Sequence, residues 1–229
     1  MNLVALIDVS TLLIVLGGTL LATFLRCGWG DCRHTVSQLA RTLLRRAPFD
    51  ADAVKGRIAR ELQLMLRDGL LRSQPRRVGD DEFDAALDAL VMQRSVGSAR
   101  ETLTAAREKR LIPVRAATHT LSQAAELAPV FGLAGTLISL GHMPAGGVDR
   151  SAYMPAIAMA VHATLYGLIA AHLVLGPLAR LVERRAGREE MKRRALSDWL
   201  ELEVVHAIPG HDPHPVPTAR HGARAGHGA

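Results

Sequence analysis

Three long apolar stretches, residues 3–25, 124–143 and 154–179, constrain this chain more than any other feature. A helix rises 1.5 Å per residue, so about 20 apolar residues cross the roughly 30 Å hydrocarbon core of a bilayer. All three are long enough. The first carries one charge, Asp8, near its outer end. No basic segment precedes it, and its apolar core is longer than that of a cleaved signal, so it reads as a retained span. The second, "LAPVFGLAGTLISLGHM", contains a proline, three glycines, a threonine and a serine. A helix facing only lipid would be served better by leucine, so this one suits protein surroundings.

Lysine and arginine placement orients the spans. Arg26, Arg33, Arg41, Arg45 and Arg46 follow the first; Arg180, Arg184, Arg185, Arg188, Lys192, Arg193 and Arg194 follow the third. The stretch before the first span has none, and the loop between the second and third has only Arg150. The expected layout is an inner (plasma) membrane protein with a periplasmic N-terminus and a cytoplasmic middle segment and C-terminus. These flanks account for the net charge of +6, so no nucleic-acid partner is expected. Cys27 and Cys32, in "RCGWGDCRH", have only His34 as a nearby third ligand where a structural zinc wants four. They read as structural, with no metal site. Trp29 and Tyr153 fit interfacial aromatics.

The chain divides into a first transmembrane helix (1–25), a cytoplasmic helical domain (26–123), a transmembrane hairpin (124–180), a helical extension (181–207) and a tail (208–229). In the cytoplasmic segment, Val36, Leu39, Leu43 and Leu44 recur at helical spacing, as do Val54, Ile58, Leu62, Met65 and Leu66, with Asp50 placed as a cap. "DDEFDAALDALVMQ" begins a further amphipathic helix with acids at its N-terminus, where the helix dipole favours them. Pro113 marks a bend, after which helix continues into the second span. No strand alternation is visible, so the fold is all-α, with a small bundle beneath the membrane. The tail, rich in Pro, Gly and His, cannot bury a core and is expected to be disordered.

The hairpin carries the chemistry. Ala128, Gly132, Thr136 and Ser139 share one face of the second span; Ala156, Ala160, Thr164, Gly167 and Ala171 share one face of the third. Such small-residue stripes, with Gly132, Gly135 and Gly167 as packing positions, let helices approach closely and imply a multi-helix assembly. Thr136 lies roughly 4 Å, and Thr164 about 3 Å, to the outer side of the span centres, so the two hydroxyls share a level. Either each bonds back to a carbonyl on its own helix, or together they line a path. Hydroxyls do not titrate near neutral pH, so a carboxylate for an ion path has to come from another chain. His162 is the titratable group deep in the third span, about 200° around the helix from Thr164. It reads as packing, an intersubunit bond or a proton relay. Pro129 and Pro177 each free a carbonyl and act as helix-shaping kinks or hinges.

"ELAPVFGLAGTLISLG" resembles the AP-x-x-G-x-x-GT signature of the MotA/TolQ/ExbB proton-channel family. "IAMAVHATLYGLIAAHLVLGPLARLVERR" and "DVSTLLIVLGGTLLATFL" are similar to further spans of flagellar stator A subunits. The resemblance implies a homo-oligomeric ring, pentameric in this family, around a single-span partner of the MotB, TolR or ExbD kind whose membrane aspartate binds the ion. It places Thr136 and Thr164 opposite that aspartate and matches Pro129 and Pro177 to the family's two prolines. The transported species is a proton, with sodium as the alternative; no cofactor and no enzymatic activity are implied. Three spans with the N-terminus outside is the TolQ and ExbB layout, so the first expectation is a transducer coupling ion flow to biopolymer transport. The alternatives are a flagellar-type stator driving motility and a non-conducting membrane scaffold.

Overall fold

The computed structural model describes residues 8–44, 49–68, 76–93, 95–141 and 153–207, with the side chains of 66–68 and 206–207 excepted. The start of the first span (1–7), the loop between the second and third spans (142–152) and the tail (208–229) lie outside the described residues. The elements are helical throughout: α1 (Val9–Leu12), a π-helical turn (Leu13–Gly17), α2 (Gly18–Leu44), α3 (Ala51–Asp68), α4 (Asp81–Gln93), α5 (Val96–Gly141), α6 (Met154–Ile169), a second π-helical turn (Ala170–Leu175) and α7 (Gly176–Ala207). Three helical stretches, Val9–Leu44, Val96–Gly141 and Met154–Val205, are long and apolar enough to cross a membrane.

α5 is the axis of the molecule: α2, α4, α6 and α7 all pack along it. It passes through both Pro113 and Pro129 without interruption. Pro113 was expected at a bend, yet the helix begins at Val96, well before it. The carbonyl that Pro113 leaves without its helical donor belongs to Lys109, whose side chain is exposed. The boundary drawn at 123/124 likewise falls inside one continuous helix, which runs from the helical domain into the hairpin. α2 does break, at Gly28, where φ is 81° and ψ 169°. That left-handed backbone favours glycine, and it ends the first span beside Trp29, which packs edge-on against Phe24.

The larger apolar core, outside the hairpin, joins α3, α4, the start of α5 and the end of α7. Val54, Ile58, Leu62, Phe83, Leu87, Leu90, Leu196 and Leu200 are all buried in it. Of the α3 stripe read from periodicity, Val54, Ile58, Leu62 and Met65 are buried, the Leu66 side chain lying outside the described ones, and Asp50 caps α3 by accepting the Ala53 N–H at 3.1 Å. The Val36 stripe behaves differently. Leu39 packs beside Ala117 and Val182, whereas Val36, Leu43 and Leu44 are left exposed. Their spacing is helical, but among the described residues no other element covers that face.

Candidate ion-path site at the membrane hairpin

α5 and α6 cross at glycine. A Cβ built on Gly132 would lie 3.0 Å from the Ala163 carbonyl oxygen and 3.5 Å from the Thr164 Cα. One on Gly135 would lie 2.9 Å from the Ala163 Cβ. The first span closes on the same helix: the Phe131 ring lies against Gly18, leaving no room for a side chain there. The buried seam therefore runs through Ala128, Gly132, Gly135 and Ser139 on α5 and through Ala163, Gly167, Ala170 and Ala171 beyond it. Residue spacing alone placed Ala160 and Thr164 on that seam. The helix is turned slightly, so that Ala163 takes the centre and Thr164 moves to the edge.

Thr136 follows Gly132 by one turn, and it too is only partly buried. Both threonine hydroxyls donate to carbonyls of their own helices, Thr136 to Leu133 at 2.6 Å and Thr164 to Ala160 at 2.9 Å. The back-bonding alternative is thus present in the structure, and it has a chemical consequence. A hydroxyl has one proton to donate and two lone pairs. With the proton committed, each oxygen is aimed as an acceptor, which suits a hydrated cation or a protonated carboxylic acid.

The two prolines differ in setting. Pro129 stands within regular α5, packed where its Cα is 3.2 Å from a Cβ built on Gly167. Pro177 follows the π-helical turn, where the Gly176 N–H reaches back to the Ala171 carbonyl. Pro177 thus stands as the second residue of α7, directly after the wide turn. His162 is not brought to the threonines. Its ring stacks on Tyr166 with centroids 6.0 Å apart.

Sequence reasoning missed a charge network that fixes the hairpin's inner extensions to α4. Arg110 of α5 pairs with Glu82 and with Glu190, the latter at 2.5 Å. Arg107 also reaches Glu190, and Arg193 of α7 pairs with Asp80, Glu82 and Glu189. Arg193 further stacks 4.1 Å over the Phe49 ring. Burial pushes the Glu190 carboxyl up, but hydrogen bonds and charge from Arg110 and Arg107 outweigh it and hold the group below the usual glutamate range. Glu189 and Arg193 stand at i,i+4 on α7, but no local motif marks Arg110–Glu190 and Arg193–Asp80, whose partners lie 80 and 113 residues apart. Cys27 and Cys32 are both half-buried free thiols.

The hairpin is close-packed through small residues and carries two acceptor hydroxyls at its edge, in a chain with three helices long and apolar enough to cross a membrane. Comparison with known proteins names the class. Residues 74–195 match the MotA/TolQ/ExbB proton channel family, and the chain belongs to that family. It is similar to chemotaxis protein PomA of Vibrio alginolyticus, at 26% identity over 200 residues, covering 84% of this chain and 76% of that protein. It is also similar to motility protein A of Cereibacter sphaeroides, at 27% over 157 residues, 66% of this chain and 60% of that protein. Its fold matches a subunit in the flagellar MotAB stator complex of Bacillus subtilis, with a TM-score of 0.75 at 21% identity over 88% of this chain and 81% of that one.

Proposed function

We propose that this chain is the channel subunit of a flagellar-type stator, which couples proton flow across the inner membrane to mechanical work through a single-span partner. The observation that carries the reading is the pair of partly exposed hydroxyls, Thr136 and Thr164, at the edge of the Gly132–Gly167 crossing. With their protons committed to the main chain, they are acceptors for a carboxylic acid or ion beside the hairpin. The partner supplies that carboxylate, and a ring of subunits, five by family resemblance, surrounds it. Mobile neighbours of this kind are served by close, small-residue contacts rather than by interlocking leucines.

The transducer reading rested on the count of spans, which says nothing about the load. Similarity to PomA and motility protein A supports the stator reading instead. Both readings share the channel chemistry and the orientation set by the basic flanks. The discriminating experiment is affinity purification of the tagged chain from native membranes, with mass spectrometry of what accompanies it. A single-span protein with a membrane aspartate and a peptidoglycan-binding periplasmic domain is the expected partner. A small transducer-type periplasmic domain would restore the TolQ and ExbB reading. A ring with no such partner would leave a non-conducting scaffold.

A further inference from the structure

Away from the threonine edge, a second set of polar groups converges in the membrane-spanning part. The Asp8 main-chain N–H donates to the Tyr166 hydroxyl at 3.1 Å, joining positions 158 residues apart. The Asp8 carboxylate accepts the Ser10 N–H at 3.1 Å and the Thr11 hydroxyl at 2.5 Å, and Thr11 is buried. One turn outward from Tyr166, the His162 ring stacks on it with an interplanar angle of 19°. The Asp8 main chain, a phenol and an imidazole thus meet where α1 leans on α6, with the Asp8 carboxylate held beside them by Ser10 and Thr11.

Among the described residues, the stretches of α5 and of the first π-helical turn that run beside α6 add no titratable group. Residues 127–141 of α5 and the turn Leu13–Gly17 contain no Asp, Glu, His, Cys, Tyr, Lys or Arg. On α6 and its continuation, Tyr153 stands at the outer end and His172 nearly three turns further in. Capping alone does not require a carboxylate at position 8, since Ser or Asn caps as well. Packing alone does not require imidazole at position 162, where leucine carries no desolvation cost. Ionisable groups in a membrane segment are costly and mark functional sites by default.

We propose that Asp8, Tyr166 and His162 form a proton-binding site at the junction of the first and third spans. The imidazole takes a proton from the outer solution onto its free ring nitrogen, and the Asp8 carboxylate supplies the counter-charge. His162 lies on the other side of α6 from the hydroxyl edge, so the site is not a segment of the path. Proton binding there changes the charge between α1 and α6 and hence the grip of the first span on the hairpin. It makes the channel's output depend on external pH. This inference rests on the channel reading given above.

Two readouts test it. In full-length chain reconstituted in lipid and labelled with nitrogen-15 histidine, the ring signals absent from His162→Gln are followed between about pH 8 and pH 5, where imidazole ordinarily changes charge. They are expected to pass from the neutral to the imidazolium pattern, at a pH that moves in Asp8→Asn. Proton flux of the complex purified with its partner is then measured against external pH. Wild type is expected to change several-fold across that range; His162→Gln is expected to be flat, and Tyr166→Phe, which keeps the ring stack, to be altered. Ring signals that do not change, or a His162→Gln or Tyr166→Phe flux profile identical to wild type, would overturn the site. Absence of any wild-type flux would count against the channel reading instead, and the ring signals would still decide the proton site.

Discussion

Gly132 and Gly167 meet backbone to backbone: a Cβ on Gly167 would stand 3.1 Å from the Gly132 Cα and 2.7 Å from the Ala128 carbonyl oxygen. Neither atom is the tip of a side chain that can swing aside. Gly167→Ala therefore has to part the two helices. The expected cost is about 1–3 kcal/mol, in the range for overpacking a filled contact, read as earlier thermal unfolding in detergent. Gly187→Ala is the control. It lies in exposed α7 with no atom near a built Cβ, and is expected to be neutral or to stabilise by up to about 1 kcal/mol.

Arg193 holds Asp80, Glu82 and Glu189 together with only 13% of its side chain exposed. Removing it leaves Asp80 and Glu189 without that counter-charge and Glu82 with Arg110 alone. Arg193→Ala is expected to destabilise the helical domain built on α3 and α4 by about 3 kcal/mol or more, the scale for breaking a buried pair. Arg193→Lys retains the charge but loses the fork and the stack on Phe49, and should fall between. Limited proteolysis between α3 and α4 reads the difference.

Glu190 gives a pH dependence of definite sign. Its carboxyl is held below the usual glutamate range in the folded chain, so its contribution is present above the ordinary glutamate pKa. That contribution is lost as pH falls through the depressed folded value. Wild type should lose stability on acidification from about pH 5 to about pH 3. Glu190→Gln should start less stable at neutral pH and show a shallower loss. Thermal unfolding followed by circular dichroism at each pH measures both slopes.

What the sequence made legible was local. The three spans, the α3 stripe and the Asp50 cap follow from periodicity and composition, which report on one helix at a time. The glycine positions could be nominated as packing sites because only small residues permit close approach. The rotation that puts Ala163 rather than Thr164 at the centre of the seam depends on how two helices settle against each other. The Asp8–Tyr166 bond and the Arg110–Glu190 pair depend on which distant segments the chain folds together. Val36, Leu43 and Leu44 show the converse: their spacing announces an apolar face, but spacing does not say whether the same chain covers it. Counting spans was similarly blind, because the number of crossings does not encode the load being moved.

The central claim is that Thr136 and Thr164 present acceptor oxygens to an ion path completed by a partner. The most direct measurement is proton flux in vesicles carrying the chain together with its co-purified single-span partner, comparing wild type with Thr136→Val/Thr164→Val. Valine keeps the shape and removes the oxygen. The double variant is expected to assemble normally and to lose flux at least about tenfold, about 1.4 kcal/mol in barrier terms, with Thr→Ser at both sites retaining most of it. Equal flux from a normally assembled double-valine complex would contradict the account.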